Sequence, residues 1–447
     1  MFWESLLQVL EGSVNDYDQI REFLKLHRFY DCLELLLRNN KVEVRDNLFF
    51  YLLIGLVARF CGCYSLCRRF VDEILLNSDF VACNRYLLLK YIPWFGLEKY
   101  TRFLHIVRSH FPNEVIWDIL VANTLVRRLE VRRAFIIFSK YYKKFRHFVM
   151  DKTDNDDFLI DAAICYLITA ILLEKTGIIR MIINDLEGLC ASLDENLFLE
   201  LVSLLDKNVL FSPFVRRTAS YIIKYQRHPL LRRFNEIDGW LDLVEGTLLY
   251  SIARHLSYNN ILEIGSFKGR STAFIAQGIR DSSNAFRYVF SVDPHYGIEN
   301  IYPFSTRREF LSNMRMFGLL ENVKCFSTRS DQFLMEYEDI LKTIDFAFLD
   351  GDHSYKQVKL EFDIINKYFT PRNIVVFHDV HMRGPYLVLK NAVTKEMFSD
   401  IIVVNVAAMI RKQNTCVGCA LDYAYLLMLD NEFKRTTPLT SEIFGIS

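Results

Sequence analysis

The sequence predicts two parts: an all-helical N-terminal half, residues 1–230, and an α/β half, residues 231–447, with a mainly parallel sheet. Three observations lead to this prediction. Up to about residue 230, apolar residues recur at helical spacing without the alternation that is typical of strands. Beyond that point, short apolar runs alternate with helical segments, a pattern that requires crossover helices and parallel strands. A length of 447 residues also favours two or three domains of about 150 residues each.

Amphipathic helices account for the whole N-terminal half. Phe29, Leu33, Leu36 and Leu37 share one apolar face, and a second face is formed by Leu197, Leu201, Leu204 and Leu205. Two arrangements of these helices stay open, an irregular bundle and an array of helical-pair repeats. The chain turns arginine-rich between residues 212 and 235, which places the domain boundary near 225–236.

Within this half, one segment is rich in basic and aromatic residues, a combination that can bind nucleic acid. Its basic members are Arg127, Arg128, Arg132, Arg133, Lys140, Lys143, Lys144 and Arg146, and its aromatic members are Phe135, Phe138, Tyr141 and Tyr142. An amphipathic helix pair with a basic solvent face explains the same pattern more simply. Because the formal net charge of the chain is zero, we do not expect a nucleic-acid partner.

Composition points to a cytoplasmic protein without a membrane span. The start, Met-Phe-Trp-Glu, lacks the basic residues of a signal peptide, and the apolar runs Leu48–Val57 and Ala162–Leu173 are shorter than the roughly 20 residues that cross a bilayer. The apolar N-terminal half makes self-association or a protein partner an expectation as well.

The ten cysteines are expected to be reduced thiols. Cys61, Cys63, Cys67 and Cys83 lack the paired spacing of zinc ligands and lie in an apolar helical run, so we interpret them as buried helix residues. Cys416-Val-Gly-Cys419 is a lone Cys-x-x-Cys, for which we do not expect a redox role.

The α/β half is organised around Ile261–Thr272, which reads Ile-Leu-Glu-Ile-Gly-Ser-Phe-Lys-Gly-Arg-Ser-Thr. This stretch predicts a buried strand, a glycine turn at Gly265 and Gly269, and a helix from Arg270 to Gly278. Such a turn lets a ligand approach bare backbone at the unpaired amides of a helix start.

Strands and helices then alternate to Phe377. The predicted strands are Tyr288–Val292, Val323–Ser327, Asp345–Leu349 and Asn373–Phe377, and the predicted helices are Glu309–Gly318, Asp331–Leu341 and Tyr355–Tyr368. Polar residues follow the strands at Asp293, Asp350 and His378-Asp379. In an open parallel sheet, ligands bind at the carboxyl ends of the strands, so these residues are candidates for a site.

Four segments together resemble the class I S-adenosylmethionine-dependent methyltransferases. They are Glu-Ile-Gly-Ser-Phe-Lys-Gly-Arg-Ser from residue 263, Val-Asp-Pro-His from 292, Phe-Leu-Asp-Gly-Asp-His-Ser-Tyr from 348, and Val-Phe-His-Asp-Val from 376. Within that class they resemble the bacterial small-molecule and sugar O-methyltransferases of methyltransferase family 24, related to catechol O-methyltransferase. The resemblance begins near residue 236 and implies a Rossmann-like domain with a seven-stranded sheet. It places the last strand at Thr415–Leu421, around Cys416 and Cys419.

The resemblance implies S-adenosylmethionine as cofactor and assigns residues to it. Gly265, Ser266, Gly269 and Ser271 would surround the methionine part, and Glu263 would orient the turn or meet the amino group. Asp293 would hold the ribose, and Ser330 would contact the adenine.

For the reaction, the resemblance implies catalytic roles for Asp350 and His353 and metal ligation by Asp350, His378 and Asp379. Catechol-type relatives have an acid and an amide where this chain has His378 and Asp379, and a lysine base where it has His353. An imidazole dilutes the oxygen-rich set that magnesium prefers, so magnesium, manganese and no metal stay open. His353 is either the base or a structural hydrogen-bonding residue.

The expected function is methylation of a hydroxyl on a sugar or another polar small molecule. Two alternatives stay open: a cofactor-binding scaffold whose helical half mediates protein interaction, and an RNA methyltransferase.

Overall fold

A computed structural model of the protein describes residues 2–11, 16–39, 47–150, 156–188, 193–298, 301–394, 398–413 and 418–444. Up to residue 234, the described residues form helices and no strand. The helices are α1 Glu4–Leu10, α2 Tyr17–Lys25, α3 Phe29–Asn39, α4 Leu48–Phe60, α5 Tyr64–Leu76, α6 Ser78–Cys83, α7 Arg85–Tyr91, α8 Leu97–His110, α9 Val115–Arg127, α10 Val131–Met150, α11 Asp156–Leu172, α12 Thr176–Glu187, α13 Glu195–Asp206, α14 Pro213–Tyr225 and α15 Pro229–Phe234, with a 3-10 helix at Ile92–Phe95.

Local sequence explains individual helices, as α13 shows. The Asp194 side chain accepts hydrogen bonds from the amides of Asn196 and Leu197, which satisfies donors that a helix start leaves unpaired. The predicted apolar face is buried at Leu197, Leu201 and Leu204.

The basic segment spans the end of α9 and the amphipathic helix α10. Lys140, Lys143 and Lys144 are exposed, whereas Phe138 and Tyr142 are buried in the core. Two of the four rings are therefore part of the core and are not available to stack on bases.

The second half alternates helices and strands. Its elements are α16 Leu243–His255, β1 Asn260–Ile264, α17 Arg270–Arg280, β2 Val289–Val292, α18 Arg307–Met316, β3 Val323–Phe326, α19 Ser330–Glu336, α20 Glu338–Leu341, β4 Ile344–Leu349, α21 Tyr355–Tyr368, β5 Ile374–Phe377, α22 Arg383–Thr394, β6 Phe398–Val404, β7 Ala407–Lys412 and α23 Ala420–Phe444, with a 3-10 helix at Leu320–Asn322.

These strands form one seven-stranded sheet in the order β3-β2-β1-β4-β5-β7-β6. The pairs among β1 to β5 are parallel, and β7 runs antiparallel to both β5 and β6. The predicted Rossmann-like domain with a mainly parallel seven-stranded sheet is confirmed.

Two predicted elements are wrong. The helix expected over Asp331–Leu341 is divided into α19 and α20, because Tyr337 leaves helical geometry (φ −114°, ψ 46°). Of the strand expected over Thr415–Leu421, the described residues 418–421 do not form a strand. Ala420 and Leu421 begin α23, where the Asp422 carboxylate accepts from the Cys419 amide at 3.0 Å and so fixes the helix start. Residues 414–417, including Cys416, lie outside the described part of the chain.

The two halves pack directly on each other. Helix α23 lies against α11 and α13 of the N-terminal half, and Arg127 pairs with Glu432 at 2.9 Å. Arg59 at the end of α4 donates to the main-chain oxygens of Gly239 and Trp240 at 3.0 and 2.7 Å. Since α14 and α15 also contact α16, the boundary at residue 230 stays a prediction. Among the described helices, none is long and apolar enough to cross a membrane.

Candidate active site

The register of the parallel strands brings the predicted site residues to one edge of the sheet. Ile264 is paired with Val292 and with Leu349, and Leu349 is paired with Phe377. The residue that follows each of these positions therefore lies beside the others at the carboxyl edge. Those residues are Gly265, Asp293, Asp350 and His378.

Gly265 is the point of closest approach between two of these loops. Its φ is +84°, and a Cβ atom at this position would lie 2.0 Å from the main-chain oxygen of Asp350. A side chain is excluded for both reasons, so glycine is required here. The turn after β1 can therefore lie directly against the loop after β4.

Asp293 organises the same turn through its carboxylate. One carboxylate oxygen, Oδ2, accepts hydrogen bonds from the amides of Ser266 and Phe267, both at 2.8 Å. The other oxygen, Oδ1, accepts from the His295 amide at 2.7 Å. Asp293 thus fixes the shape of the glycine turn and also lines the cavity beside it.

The remaining residues predicted for the cofactor divide into two groups. Ser266, Ser271 and Ser330 line the cavity, and Ser330 donates to Glu361 at 2.6 Å. Glu263 and Gly269 are not among the lining residues.

Glu263 is fully buried and accepts from Thr272 at 2.6 Å, and Gly269 packs against Phe310 and Met314. Burial raises the pKa of Glu263 to about 7, although hydroxyl donors partly offset that shift. Of the two roles considered for Glu263, its contacts match the one of orienting the turn.

The three predicted metal ligands converge after β4 and β5. One ligand atom from each of Asp350, His378 and Asp379 lies within 4.8 Å of the other two. The distance from His378 Nδ1 is 3.0 Å to Asp350 Oδ1 and 3.3 Å to Asp379 Oδ2. We call these residues the metal triad.

His378 Nδ1 is buried and makes no hydrogen bond of acceptable geometry, despite its short distances to both carboxylates. A buried nitrogen aimed at two carboxylates is the arrangement expected of a cation site. Burial alone would lower the pKa of His378, but the carboxylates of Asp350 and Asp379 raise it well above its usual value. The two carboxylates therefore stabilise positive charge at this point, and the donor set fits a divalent metal.

Two further histidines border the triad. His353 Nε2 lies 3.1 Å from Asp379 Oδ2 and 3.7 Å from Asp350 Oδ1. Burial would lower the pKa of His353, but these two carboxylates raise it to about 10. His381, whose Nδ1 lies 3.8 Å from Asp379 Oδ1, was missed by the sequence analysis. Its place two residues after Asp379, in His-Asp-Val-His, is the signal that could have identified it.

A cavity of about 500 Å³ joins the glycine turn to Asp350 and Asp379. That volume falls within the range of about 300–1,000 Å³ that is typical of small-molecule sites. Its apolar lining includes Trp240, Ile298, Ile301, Met382 and, from helix α4 of the N-terminal half, Phe60. Both halves of the chain therefore contribute to the cavity.

The cysteine cluster shows no comparable arrangement. Cys61 and Cys67 are buried, and burial raises the pKa of the Cys67 thiol to about 12 and that of Cys63 to about 11. Neutral thiols are poor metal ligands. Within the described ranges, the metal triad is the one group of side chains with ligand geometry.

Comparison with known proteins gives a family match within the second half of the chain. Residues 262–380 match the model of methyltransferase family 24, described as a methyltransferase domain. None of the curated proteins matches.

Several solved structures are similar at low identity. A putative caffeoyl-CoA O-methyltransferase from Staphylococcus aureus aligns with 44% of this chain and 99% of its own, at 15% identity and a TM-score of 0.33. An O-methyltransferase from Bacillus cereus in complex with SAH covers 44% and 91%, at 17% identity and a TM-score of 0.32. CalS11, a TDP-rhamnose 3′-O-methyltransferase of calicheamicin biosynthesis, covers 49% and 95%, at 15% identity and a TM-score of 0.31.

Similarity at this level leaves the acceptor to be inferred from the cavity itself. The family match coincides with the four motifs, and the sheet order agrees with the fold that those motifs imply. Residues 262–380 therefore form a methyltransferase domain of the class I type, whose cofactor is S-adenosylmethionine.

Proposed function

We propose that the protein is an O-methyltransferase that transfers a methyl group from S-adenosylmethionine to a hydroxyl of a sugar or another polar small molecule, with a divalent metal at the triad. One observation carries the proposal. A single cavity is lined by the glycine turn and Asp293 at one end and by Asp350, His353 and Asp379 at the other. Donor and acceptor can therefore be held side by side.

Positioning is the main requirement of this chemistry, because the sulfonium of the bound cofactor already supplies an activated methyl group. The main chain of Gly265 and Ser266 lines the donor end, where no side chain intervenes at the glycine. The hydrogen bonds from Ser266 and Phe267 to Asp293 hold that main chain in place before any ligand arrives. A preorganised turn lowers the entropic cost of binding.

The acceptor hydroxyl must also lose its proton. A divalent metal supplies a Lewis acid that lowers the pKa of a bound hydroxyl. Asp350, His378 and Asp379 would hold the metal with two carboxylates and one imidazole, a set that suits manganese as well as magnesium.

His353 would accept that proton, and its position in the cavity lining beside Asp350 and Asp379 supports this role. In the metal-free protein its pKa of about 10 keeps the ring protonated near neutral pH. A cation at the triad would compete for the same carboxylates and so lower the pKa of His353. The base role of His353 and metal binding are thus coupled.

The cavity lining also includes aromatic and acidic side chains. Phe60 and Trp240 line the cavity together with Asp238 and Asp352. Aromatic faces pack against the apolar faces of sugar rings, and carboxylates accept hydrogen bonds from hydroxyls. Because Phe60 belongs to α4, and Arg59 of the same helix holds the main chain at Trp240, the helical half would contribute to acceptor docking.

Methyl transfer itself tests the proposal. The purified protein is incubated with methyl-labelled S-adenosylmethionine, Mg²⁺ or Mn²⁺, and a panel of nucleotide sugars, free sugars and extract fractions. We expect label in a small-molecule product with wild type and none with Asp379→Asn. Binding of S-adenosylhomocysteine without transfer to any fraction would contradict the proposal and favour the scaffold alternative. Label in RNA would favour the RNA alternative.

A further inference from the structure

Helix α16, ahead of the matched methyltransferase segment, places one buried acid against the metal triad. The Glu245 carboxylate is 1% exposed, and its Oε2 lies 3.2 Å from His378 Nε2. His378 meets Glu245 through the ring nitrogen that faces away from Asp350. Glu245 thus contacts the triad without lining the cavity.

The other contacts of Glu245 define its hydrogen bonding. Oε2 also accepts from the Asp242 amide at 2.6 Å, and Oε1 accepts from Asn405 Nδ2 at 2.9 Å and from the Val406 amide at 3.2 Å. All three of these partners are donors, so both oxygens of Glu245 act as hydrogen-bond acceptors.

The tautomer of His378 follows from that constraint. Because Glu245 only accepts, the neighbouring Nε2 of His378 must carry hydrogen. In a neutral ring the lone pair is then on Nδ1, and Nδ1 lies 3.0 Å from Asp350 Oδ1 and 3.3 Å from Asp379 Oδ2. The opposite tautomer would direct N–H into the triad and remove a ligand.

We infer that Glu245 is a positioning residue for the metal: it fixes His378 in the Nε2–H tautomer and holds the ring so that Nδ1 completes the triad. The inference rests on the proposed metal site. Carboxylates in this relation to a metal-binding histidine fix its orientation and raise its basicity, and their mutation costs about 10- to 100-fold in metal affinity.

Glu245→Gln is the direct test. The glutamine has nearly the same volume, but it offers one accepting oxygen and one donating NH₂. The NH₂ group of the glutamine would then face donors in either orientation. In one orientation it faces the Asp242 amide and His378 Nε2, and in the other it faces Asn405 Nδ2 and the Val406 amide. Asp422→Asn is the matched control, since it also alters a buried carboxylate that accepts from main-chain amides, those of Ile401 and Cys419.

The measurements are Mn²⁺ affinity by electron paramagnetic resonance and S-adenosylhomocysteine affinity by calorimetry, on the full chain. We expect Glu245→Gln to bind Mn²⁺ about 10- to 100-fold more weakly than wild type, with S-adenosylhomocysteine binding retained and Asp422→Asn unchanged in both. Mn²⁺ affinity of Glu245→Gln within about twofold of wild type would overturn the inference.

A second variant covers failure to fold. If Glu245→Gln binds neither ligand, Glu245→Asp is the second test. The shorter side chain keeps the carboxylate but places it farther from His378. The same selective loss of Mn²⁺ affinity is expected. Unchanged Mn²⁺ affinity in Glu245→Asp would then overturn the inference. Wild type that binds S-adenosylhomocysteine but no Mn²⁺ would overturn the inference together with the metal part of the proposed function, and would leave the donor part standing.

Discussion

The two ends of the cavity are built by different means. At the donor end, which we define as Gly265, Ser266 and Asp293, the chain presents main-chain groups held in place by one carboxylate. At the metal triad it presents charged side chains from two loops. Glu245 contacts His378 at Nε2, the ring nitrogen opposite the triad. The donor end therefore depends on backbone shape, and the triad depends on charge and protonation.

This difference has a practical consequence. The glycine turn lies within one continuous stretch of sequence, from Glu263 to Thr272, and its partner Asp293 comes from the neighbouring strand. The triad needs β4 and β5 in register and support from α16. Separate measurements of cofactor and metal affinity should therefore resolve the two ends in single variants.

Gly265→Ala should have the largest effect, because it acts where the two ends meet. The new Cβ would lie 2.0 Å from the Asp350 main-chain oxygen at a φ of +84°. We expect a loss of about 3 kcal/mol or more in the free energy of unfolding, with binding of both ligands impaired. Thermal unfolding and calorimetry measure this.

Gly177→Ala is its control, since a Cβ there meets nothing within 4 Å. In a helix this change should be neutral or stabilising by up to about 1 kcal/mol. Wild-type stability in Gly265→Ala would show that the two loops do not approach as closely as described.

Asp379→Asn should separate the two ends. It removes one charge from the triad while leaving the donor turn intact, so we expect Mn²⁺ affinity to fall by about 100-fold or more and S-adenosylhomocysteine affinity to change little. Electron paramagnetic resonance and calorimetry give the two values. Equal losses of both affinities would mean that the ends are not independent.

Asp293→Ala is the reciprocal change. Loss of the carboxylate frees the amides of Ser266 and Phe267 and removes the predicted ribose contact. We expect S-adenosylhomocysteine affinity to fall by about 10- to 100-fold, or about 1.4 kcal/mol for each tenfold, with Mn²⁺ affinity unchanged. Calorimetric titration with each ligand checks this. An unaltered affinity for S-adenosylhomocysteine would contradict the assignment of Asp293 to the donor site.

A change of pH should have a graded effect, and this effect should appear at the triad alone. His378 must be neutral to bind a metal, and its pKa in the metal-free protein lies well above the usual value. Metal binding must therefore displace a proton, so Mn²⁺ affinity should rise with pH between about pH 6 and 8, by up to tenfold per unit for each proton released. A flat profile would contradict the protonated state of His378.

Sequence patterns could predict the sheet, the glycine turn and a cluster of polar residues, because each strand ends next to a polar residue and parallel register brings those ends together. The family resemblance implied that three of these residues bind a metal. It could not assign the roles of Glu263 and Gly269. Their positions in the motif are the same whether the side chain faces the cavity or, as the structure shows, the buried side of the turn.

The sequence also could not predict contacts between distant parts of the chain. Phe60 and Glu245 lie 205 and 20 residues before Gly265, in helices whose spacing indicates only which face is apolar. The wrong last strand has a local cause, since the apolar residues around Cys419 suit a strand or a buried helix equally well. The Asp422 contact to the Cys419 amide decides for the helix.

Calorimetric titration of S-adenosylhomocysteine into the wild-type protein, with and without Mn²⁺, tests the central claim most directly. We predict micromolar binding in both conditions, and a separate Mn²⁺ binding event that persists when the cofactor site is filled. Absence of S-adenosylhomocysteine binding in both conditions would contradict the claim that the cavity at the carboxyl edge of the sheet is a working donor site.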